Sequence, residues 1–541
     1  MSTPKFAAQN TWWKATSTTR PSITKITIVD SYTPSDAVIE SWDASADGDG
    51  SLMCYVAGTE LIIAGNGSGE IYTNEDAAIM FSVDKNVPIN GFINITSIDG
   101  FTLLNTSLTT TAFSMFNGCK KLVAINLSAF NTENMTKIND MFNTCTSLTS
   151  LDFSNFNTLN NTSLSYFCHN CSSLKTIIFS SSFVTNKVKS FQYAFGGCSS
   201  LESLDLTHFD FSSSQEFQGM FQGCENLTSI IFPENCTIYL KSYMGKILAQ
   251  YGELFPLAMF QNCKKLKTIN CSFVIVPNEI YSLGFMFYGC SSLDQIDVST
   301  WDTHSIKSLD HFAAHANLKC IGIENWDTSS LENADACFHS CPDEELDLSN
   351  WDVSKVKNFG QMFEGSPNLK RIKGLQNWDT SAGLGFEEMF ARCPKLEELN
   401  LSSFDTTHAK NDELASMNRS YTETLKEFIA ETPSLQKITL GPNVSLNGDG
   451  TNTTEANKLT FPAGAQWYTI NGEQTGPKDR TQETYWRNYS DVANMEVIVK
   501  NSSLIETAKA IREKTGSTSK YKPSEFAAAI RNSTLDNTVL S

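Results

Sequence analysis

The sequence predicts an α/β repeat fold: a solenoid with a parallel sheet along one face, a β-rich N-terminal cap and a small C-terminal helical hairpin. Three observations predict it. One string of residues recurs at near-constant spacing along most of the chain. Within each copy, apolar residues alternate with the period of two that marks a half-buried strand. The two ends lack the string and carry patterns of their own.

The recurrence comes first because it decides the architecture. MFNGCKKLVAINLSAFNT at Met115–Thr132 returns as MFNTCTSLTSLDFSNFNT at Met141–Thr158 and as MFARCPKLEELNLSSFDT at Met389–Thr406. Taking the second letter of each "MF" pair as anchor gives Phe116, Phe142, Cys168, Phe195, Phe221, Phe260, Phe287, Phe312, Phe338, Phe363, Phe390 and Ile429. Successive anchors lie 25–27 residues apart, except for two intervals of 39. The long intervals place insertions near 234–257 and 408–426.

Each copy reads as one turn of a coil. Leucine at anchor+6, leucine or isoleucine at +9 and an apolar residue at +11 form L-x-x-L-x-L, as in Leu148, Leu151 and Phe153. This is the strand signature of a leucine-rich repeat. An aromatic follows near +14 (Phe130, Phe156, Phe209, Trp301, Trp326, Trp351, Trp378, Phe404), and then a turn signal of Asn or Asp. The "MF" pair closes the unit as a short helical or irregular segment. One unit cannot bury its apolar edge alone, so the units stack. At about 4.8 Å per rung, twelve rungs make a body on the order of 60 Å long.

The pattern MFxxCxxLxxLDLSxFDTxxVxxM resembles the BspA-type leucine-rich repeat of bacterial and phage surface proteins, over about Phe101–Pro442. Copy three departs with Cys168 at the anchor. Copies eight, ten and twelve have His315, Ser366 and Thr432 where the others have cysteine.

The flanks differ. In residues 1–100 the repeat is not evident; Thr24–Ser31 reads as a strand and the Gly/Asp/Asn clusters of Glu40–Tyr72 separate short hairpin strands. This resembles the lead-in that covers the first rung of such arrays, where an open end exposes core and sheet edge. Residues 443–500 read as a polar linker followed by short capping strands over Leu459–Arg487. Residues 501–541 hold two short helical patterns, Ser503–Gly516 and Pro523–Arg531, the second with proline in its first turn. The order AIREKTG…KPSEFAAAI resembles a small module of phage tail and baseplate-associated proteins, and Asn10–Tyr32 resembles the start of gut-phage structural proteins.

Chemical candidates are few. The cysteines at anchor+3 (Cys119, Cys145, Cys171, Cys198, Cys224, Cys263, Cys290, Cys341, Cys393) read as small buried groups stacked one per rung. Cys168/Cys171 and Cys337/Cys341 have metal-like spacing, but no second pair is offset correctly for a four-ligand zinc site. His311 and His315 lie at i, i+4 without the glutamate that a metalloprotease helix needs. The tryptophan row falls in register with phenylalanines and reads as core. No nucleophile, phosphate loop or acid/base constellation appears, so no catalytic residue, metal or cofactor is expected. The outward row near anchor+10, with Asn126, Asp152, Asp205, Asn270, Asp297, Asp347 and Asn400, is the candidate recognition face. Ile178 and Ile231 interrupt it.

The 541 residues carry 40 Lys plus Arg against 59 Asp plus Glu, a net charge of −19. That balance argues against nucleic acid, whose phosphates call for clustered cations. The start of the chain has no apolar run of secretory type and no window is apolar enough to span a membrane. The resemblances imply a bacteriophage virion protein made in the host cytoplasm, of the tail fibre, tail tip or baseplate. Its solenoid would meet a host cell-surface protein or glycan, and residues 501–541 would contact other virion proteins, as a homo-oligomer or in several copies. A capsid decoration or head-fibre protein and a bacterial cell-surface adhesin are the alternatives.

Overall fold

The computed structural model describes residues 2–8, 11–15, 19–83, 91–242, 256–409, 425 and 427–444, and the strand backbones at 467–468 and 483–487. The two C-terminal helical patterns lie outside the described residues. The chain divides into two compact units, Met1–Leu331 and Glu332–Ser541.

The first unit opens with strands β1 (Lys25–Val29), β2 (Val38–Asp43), β3 (Met53–Ala57), β4 (Glu60–Ala64), β5 (Ile71–Tyr72), β6 (Ser97–Asp99) and β7 (Leu104–Asn105). Five of them form a sheet ordered β2-β3-β4-β1-β6. The rungs then supply β8 (Ser150–Phe153), β9 (Thr176–Phe179), β10 (Ser203–Asp205), β11 (Ser229–Ile231), β12 (Thr237–Leu240), β13 (Ser272–Ile275), β14 (Gln295–Asp297) and β15 (Lys319–Ile321). These pair in parallel as β8·β9, β10·β11, β12·β13 and β14·β15. The second unit continues with β16 (Glu345–Asp347), β17 (Arg371–Lys373), β18 (Glu398–Leu401), β19 (Lys437–Leu440), β20 (Trp467–Tyr468) and β21 (Glu483–Arg487). Here β16·β17 and β18·β19 are parallel, while β21 runs antiparallel to β19 and β20 antiparallel to β21.

The α/β expectation fails at the "MF" segments. The described residues contain no α-helix, only 3₁₀ turns of three residues. The reason lies in the backbone. Residues two before and two after each anchor have positive φ, as at Asp140 (57°) and Thr144 (59°) around Phe142. Left-handed residues every four positions cannot sustain an i→i−4 ladder. Their amides bond to the adjacent rung instead: Phe116 N–H donates to Met141 O and Phe142 N–H to Phe167 O, both at 2.9 Å. In the second unit, Phe338 donates to Met362 O and Phe363 to Met389 O.

This geometry corrects three readings. Phe81 N–H donates to Met115 O, and Ile79 before it has φ of 49°, so Met80-Phe81 forms one more rung turn inside the first hundred residues. Its 35-residue distance from Phe116 hid it. In copy eight, Phe287 N–H donates to Phe312 O, and the left-handed residues are His311 and His315. The anchor is therefore Ala313, not Phe312. Ala316, 2% exposed, takes the cysteine position, and His315 lies outside on the surface. Copies three and eight thus share one exchange: phenylalanine moves one place back (Phe167, Phe312) and a small residue (Cys168, Ala313) takes the anchor. The displaced rings still reach the anchor column edge-on, Phe142–Phe167 at 6.1 Å and Phe287–Phe312 at 5.5 Å.

The core is built of aromatic columns. Phe81, Phe116 and Phe142 stack nearly parallel at 5.6 and 5.4 Å, as do Phe338, Phe363 and Phe390 in the second unit at 6.1 and 5.5 Å. The +14 aromatics form another column, with Trp301–Trp326 at 6.0 Å in the first unit and Trp378–Phe404 at 6.2 Å in the second. Each buried ring contributes about 2–3 kcal/mol by area, and each stacked contact about 0.5–1.5 more. At the N-terminal end Trp12 and Phe101 pack on Phe81, joining the five-stranded sheet to the first rungs.

Two buried polar columns lock the stack. The thiols of Cys145, Cys171, Cys224 and Cys290 donate to the carbonyls of Phe116, Phe142, Phe195 and Phe260 one rung back, at 3.1–3.2 Å. Ser366 and Thr432 keep a hydroxyl donor at this position. Further round, Thr132 donates to Asn157 O and accepts from Asn157 N, and Thr185 bonds Asp210 in the same two ways. That double bond explains the threonine after the aromatic–Asn/Asp pair. Thr185→Val should leave the part-buried carbonyl and amide of Asp210 without this partner at a cost of about 1 kcal/mol, whereas Thr185→Ser should lose far less. Thermal and urea denaturation of the two variants compares them directly; equal midpoints would mean the hydroxyl is idle.

Candidate functional site

On the outward side of β8–β11 every second residue faces solvent. Ser150, Thr176, Ser203 and Ser229 form one exposed column, and Asp152, Ile178, Asp205 and Ile231 the next. Asp152 is paired with Ile178 and Asp205 with Ile231 across parallel strands, and β10 lies against β9. Acid and isoleucine therefore alternate at roughly 4.8 Å steps. The pairing recurs at Asp297 and Ile321 on β14·β15. Ile178, Ile231 and Ile321 are 52%, 53% and 40% exposed, where a β-branched apolar side chain gains nothing from water.

The sequence reading took Ile178 and Ile231 as interruptions of an acidic row. The structure makes them half of it. The available signal was their recurrence on alternate copies. In the second unit, Asp347 is paired with Lys373 and Asn400 with Thr439, so the acid–isoleucine alternation belongs to the first unit.

Two candidates sit elsewhere. Asn126 is not on a strand, because its segment makes only scattered inter-rung bonds, such as Val123 N–H to Thr96 O. Asn270 lies two residues ahead of β13, since β12 pairs with Ser272–Ile275. The remaining five, Asp152, Asp205, Asp297, Asp347 and Asn400, are exposed on β8, β10, β14, β16 and β18.

These side chains also shape the turns. Asp152, Asp205 and Asp297 each accept from the amide and hydroxyl two residues on (Ser154, Thr207, Ser299), and Asn400 accepts from Ser402 N–H at 3.2 Å. Those bonds, the hydroxyl first, hold the carboxyls of Asp152, Asp205, Asp297 and Asp347 below their ordinary 3.8. One oxygen is thus fixed on the turn, which orients the other outward.

The remaining motifs resolve structurally. Cys168 is the buried anchor and the Cys171 thiol donates to Phe142 O. His311 and His315 flank Ala313 in left-handed turns and not on a helix. His311 stacks on Phe285 at 4.9 Å and pairs with Asp310 at 2.7 Å, and His315 meets the Tyr288 ring. Trp301, Trp326, Trp351 and Trp378 are at most 5% exposed. Burial pushes the Cys171, Cys224, Cys290 and Cys393 thiols up to about 12, far from reactive thiolates. A recess of about 460 Å³ on the turn side is lined by Asp140, Asn143, Thr144, Tyr166, His169 and Asn170. Tyr193 stacks on Tyr166 at 5.2 Å, over Gly219, whose missing side chain clears the ring. Its polar groups bond one another: Asn143 donates to Asp140 at 3.0 Å and faces His169 at 3.2 Å.

Residues 165–246 match the family described as BspA type leucine rich repeat region. Residues 90–180, 257–370 and 307–428 match DUF285, described as a Mycoplasma protein of unknown function. Among solved structures, a leucine-rich repeat protein from Bacteroides ovatus ATCC 8483 is 16% identical over 57% of this chain and 79% of its own, at a TM-score of 0.25. A Leptospira interrogans LRR protein is 14% identical over 62% and 77%, at a TM-score of 0.17. Similarity at that level adds nothing to the fold read from the chain itself. No curated protein matches the sequence.

The turns after the outward strands carry a pH dependence. A carboxyl held below its ordinary value contributes stability that is present above pH 3.8 and is lost as pH falls through the depressed value. The denaturation midpoint should therefore drop as pH falls below 3.8. A variant with Asp152, Asp205, Asp297 and Asp347 all changed to Asn should drop less steeply over that range; parallel curves would show that these bonds do not matter.

Proposed function

We propose that the chain is a surface-recognition protein of the adhesin type, and that it binds a macromolecular partner along the outward strands of its first unit. The observation that carries this reading is the alternation of Asp152, Ile178, Asp205 and Ile231 on successive exposed strands. Exposed isoleucines between fixed carboxylates and flanking hydroxyls give an apolar contact with a polar, anionic frame. The partner that fits is a cell-surface protein presenting apolar groups beside lysine or arginine. A net charge of −19 steers such a partner inward and repels nucleic acid. Several copies on one particle or cell would multiply a modest single-site affinity.

The narrower reading is a bacteriophage tail protein, with this surface turned to the host. Its support is the resemblance of residues 503–531 to tail-associated modules. Deleting residues 501–541 should then abolish incorporation into virions while leaving binding to cells intact.

The recognition face is tested by changing Ile178 and Ile231 to Ser in the full-length protein. Binding to bacterial cells and to their extracted surface proteins should fall at least tenfold, with circular dichroism and melting temperature unchanged. Asp152→Lys with Asp205→Lys should do the same and remove the salt dependence of binding. Full binding by both double variants would move the site off this face.

A further inference from the structure

None of the fifteen cysteines is in a disulfide, but one pair differs from the rest. Cys236 and Cys271 stand outside the anchor+3 column. They directly precede β12 and β13, whose register pairs Thr237 with Ser272, so the two cysteines are in-register neighbours on adjacent rungs. Ser272 N–H donates to Cys236 O at 3.0 Å, which fixes the two backbones together at this point. The Cys271 thiol donates to the Cys236 sulfur at 3.1 Å. The column thiols of Cys145, Cys171, Cys224 and Cys290 point at backbone carbonyls; these two point at each other.

The geometry suits a bond. Parallel neighbours lie about 4.7–4.9 Å apart, within the range of Cα separations that disulfides span. Cys271 is partly exposed and Cys236 lies at the edge of the core at 9%, so a small reagent can reach them. The hydrogen bond from Cys271 also draws the Cys236 thiol below its ordinary value, which raises the share of nucleophilic thiolate.

We infer that Cys236 and Cys271 form a redox-responsive pair, converted by a low-molecular-weight disulfide into a disulfide that staples two neighbouring rungs. One thiolate of the pair attacks a sulfur of the small disulfide, forming a mixed disulfide and expelling one small thiolate. The second thiol gives its proton to solvent and attacks the protein sulfur of that mixed disulfide, expelling the other small thiolate. The chain loses two electrons and two protons; the small disulfide gains them as two thiols. The new bond closes a loop between residues 35 apart in sequence, which contains most of the inserted residues near 234–257. It restricts the unfolded chain and therefore stabilises the folded one.

The test uses the full-length protein equilibrated in mixtures of reduced and oxidised glutathione. Thiols are trapped with N-ethylmaleimide in denaturant, and peptides are mapped by mass spectrometry. Oxidising mixtures should remove two of the fifteen thiols and yield a Cys236–Cys271 cross-linked peptide. The melting temperature should rise with oxidation, and Cys271→Ser should abolish that rise. In Cys236→Ser, Cys271 should stop at the glutathione adduct. A cross-link among column cysteines instead, a stable glutathione adduct in the unmodified protein, or fifteen thiols throughout would each overturn the inference.

Discussion

The structure depends on where the amides of the anchor turns go. Left-handed residues on both sides of each anchor deny the segment a helix and aim its N–H groups at the next rung. The turn side of each rung is thereby tied to its neighbour as firmly as the strand side. Backbone groups buried in the stack must find partners, and here a neighbouring copy of the same motif provides them. The residue pattern follows: phenylalanine rings stack because the backbone below them is in register, and the thiol three residues on meets the carbonyl of the previous anchor.

The same constraint explains which departures are tolerated. A methionine–phenylalanine pair can become phenylalanine–cysteine or phenylalanine–alanine because the column needs one ring per rung and is indifferent to which of the two positions supplies it. Cysteine can become serine, threonine or alanine because the position needs a small side chain; the two hydroxyls find carbonyl acceptors in their own rung. Valine at Val353 stands where other copies have threonine, so that rung keeps the volume and lacks the hydroxyl. With interior and turn side committed to stacking, the outward strand residues are left free to vary, and recognition chemistry has room there.

Much of this was legible in the sequence. The repeat length, the parallel strand pairs, the buried aromatic columns and the cysteine positions all follow from spacing and alternation. What spacing misses is register finer than one residue and the sign of φ. His315 counts as a cysteine substitute by position, and only the hydrogen bond from Phe287 to Phe312 shifts the frame by one. Whether the "MF" segments were helical or irregular was not legible, because residue types such as Asp140, Thr144 and Tyr166 do not announce left-handed backbone as glycine does. The outward row was half legible: Asp152 and Asp205 stood out as charges, whereas Ile178 and Ile231, at the same repeat position, read as interruptions until their exposure on paired strands made them part of the face.

Amide hydrogen exchange followed peptide by peptide on the full-length protein tests the central claim most directly. Peptides covering 114–118, 140–144 and 193–197 are turns by shape, yet each amide bonded to the next rung should exchange as slowly as those of β8–β11. Fast exchange in those turns, with protection confined to the strands, would contradict a stack held from both sides.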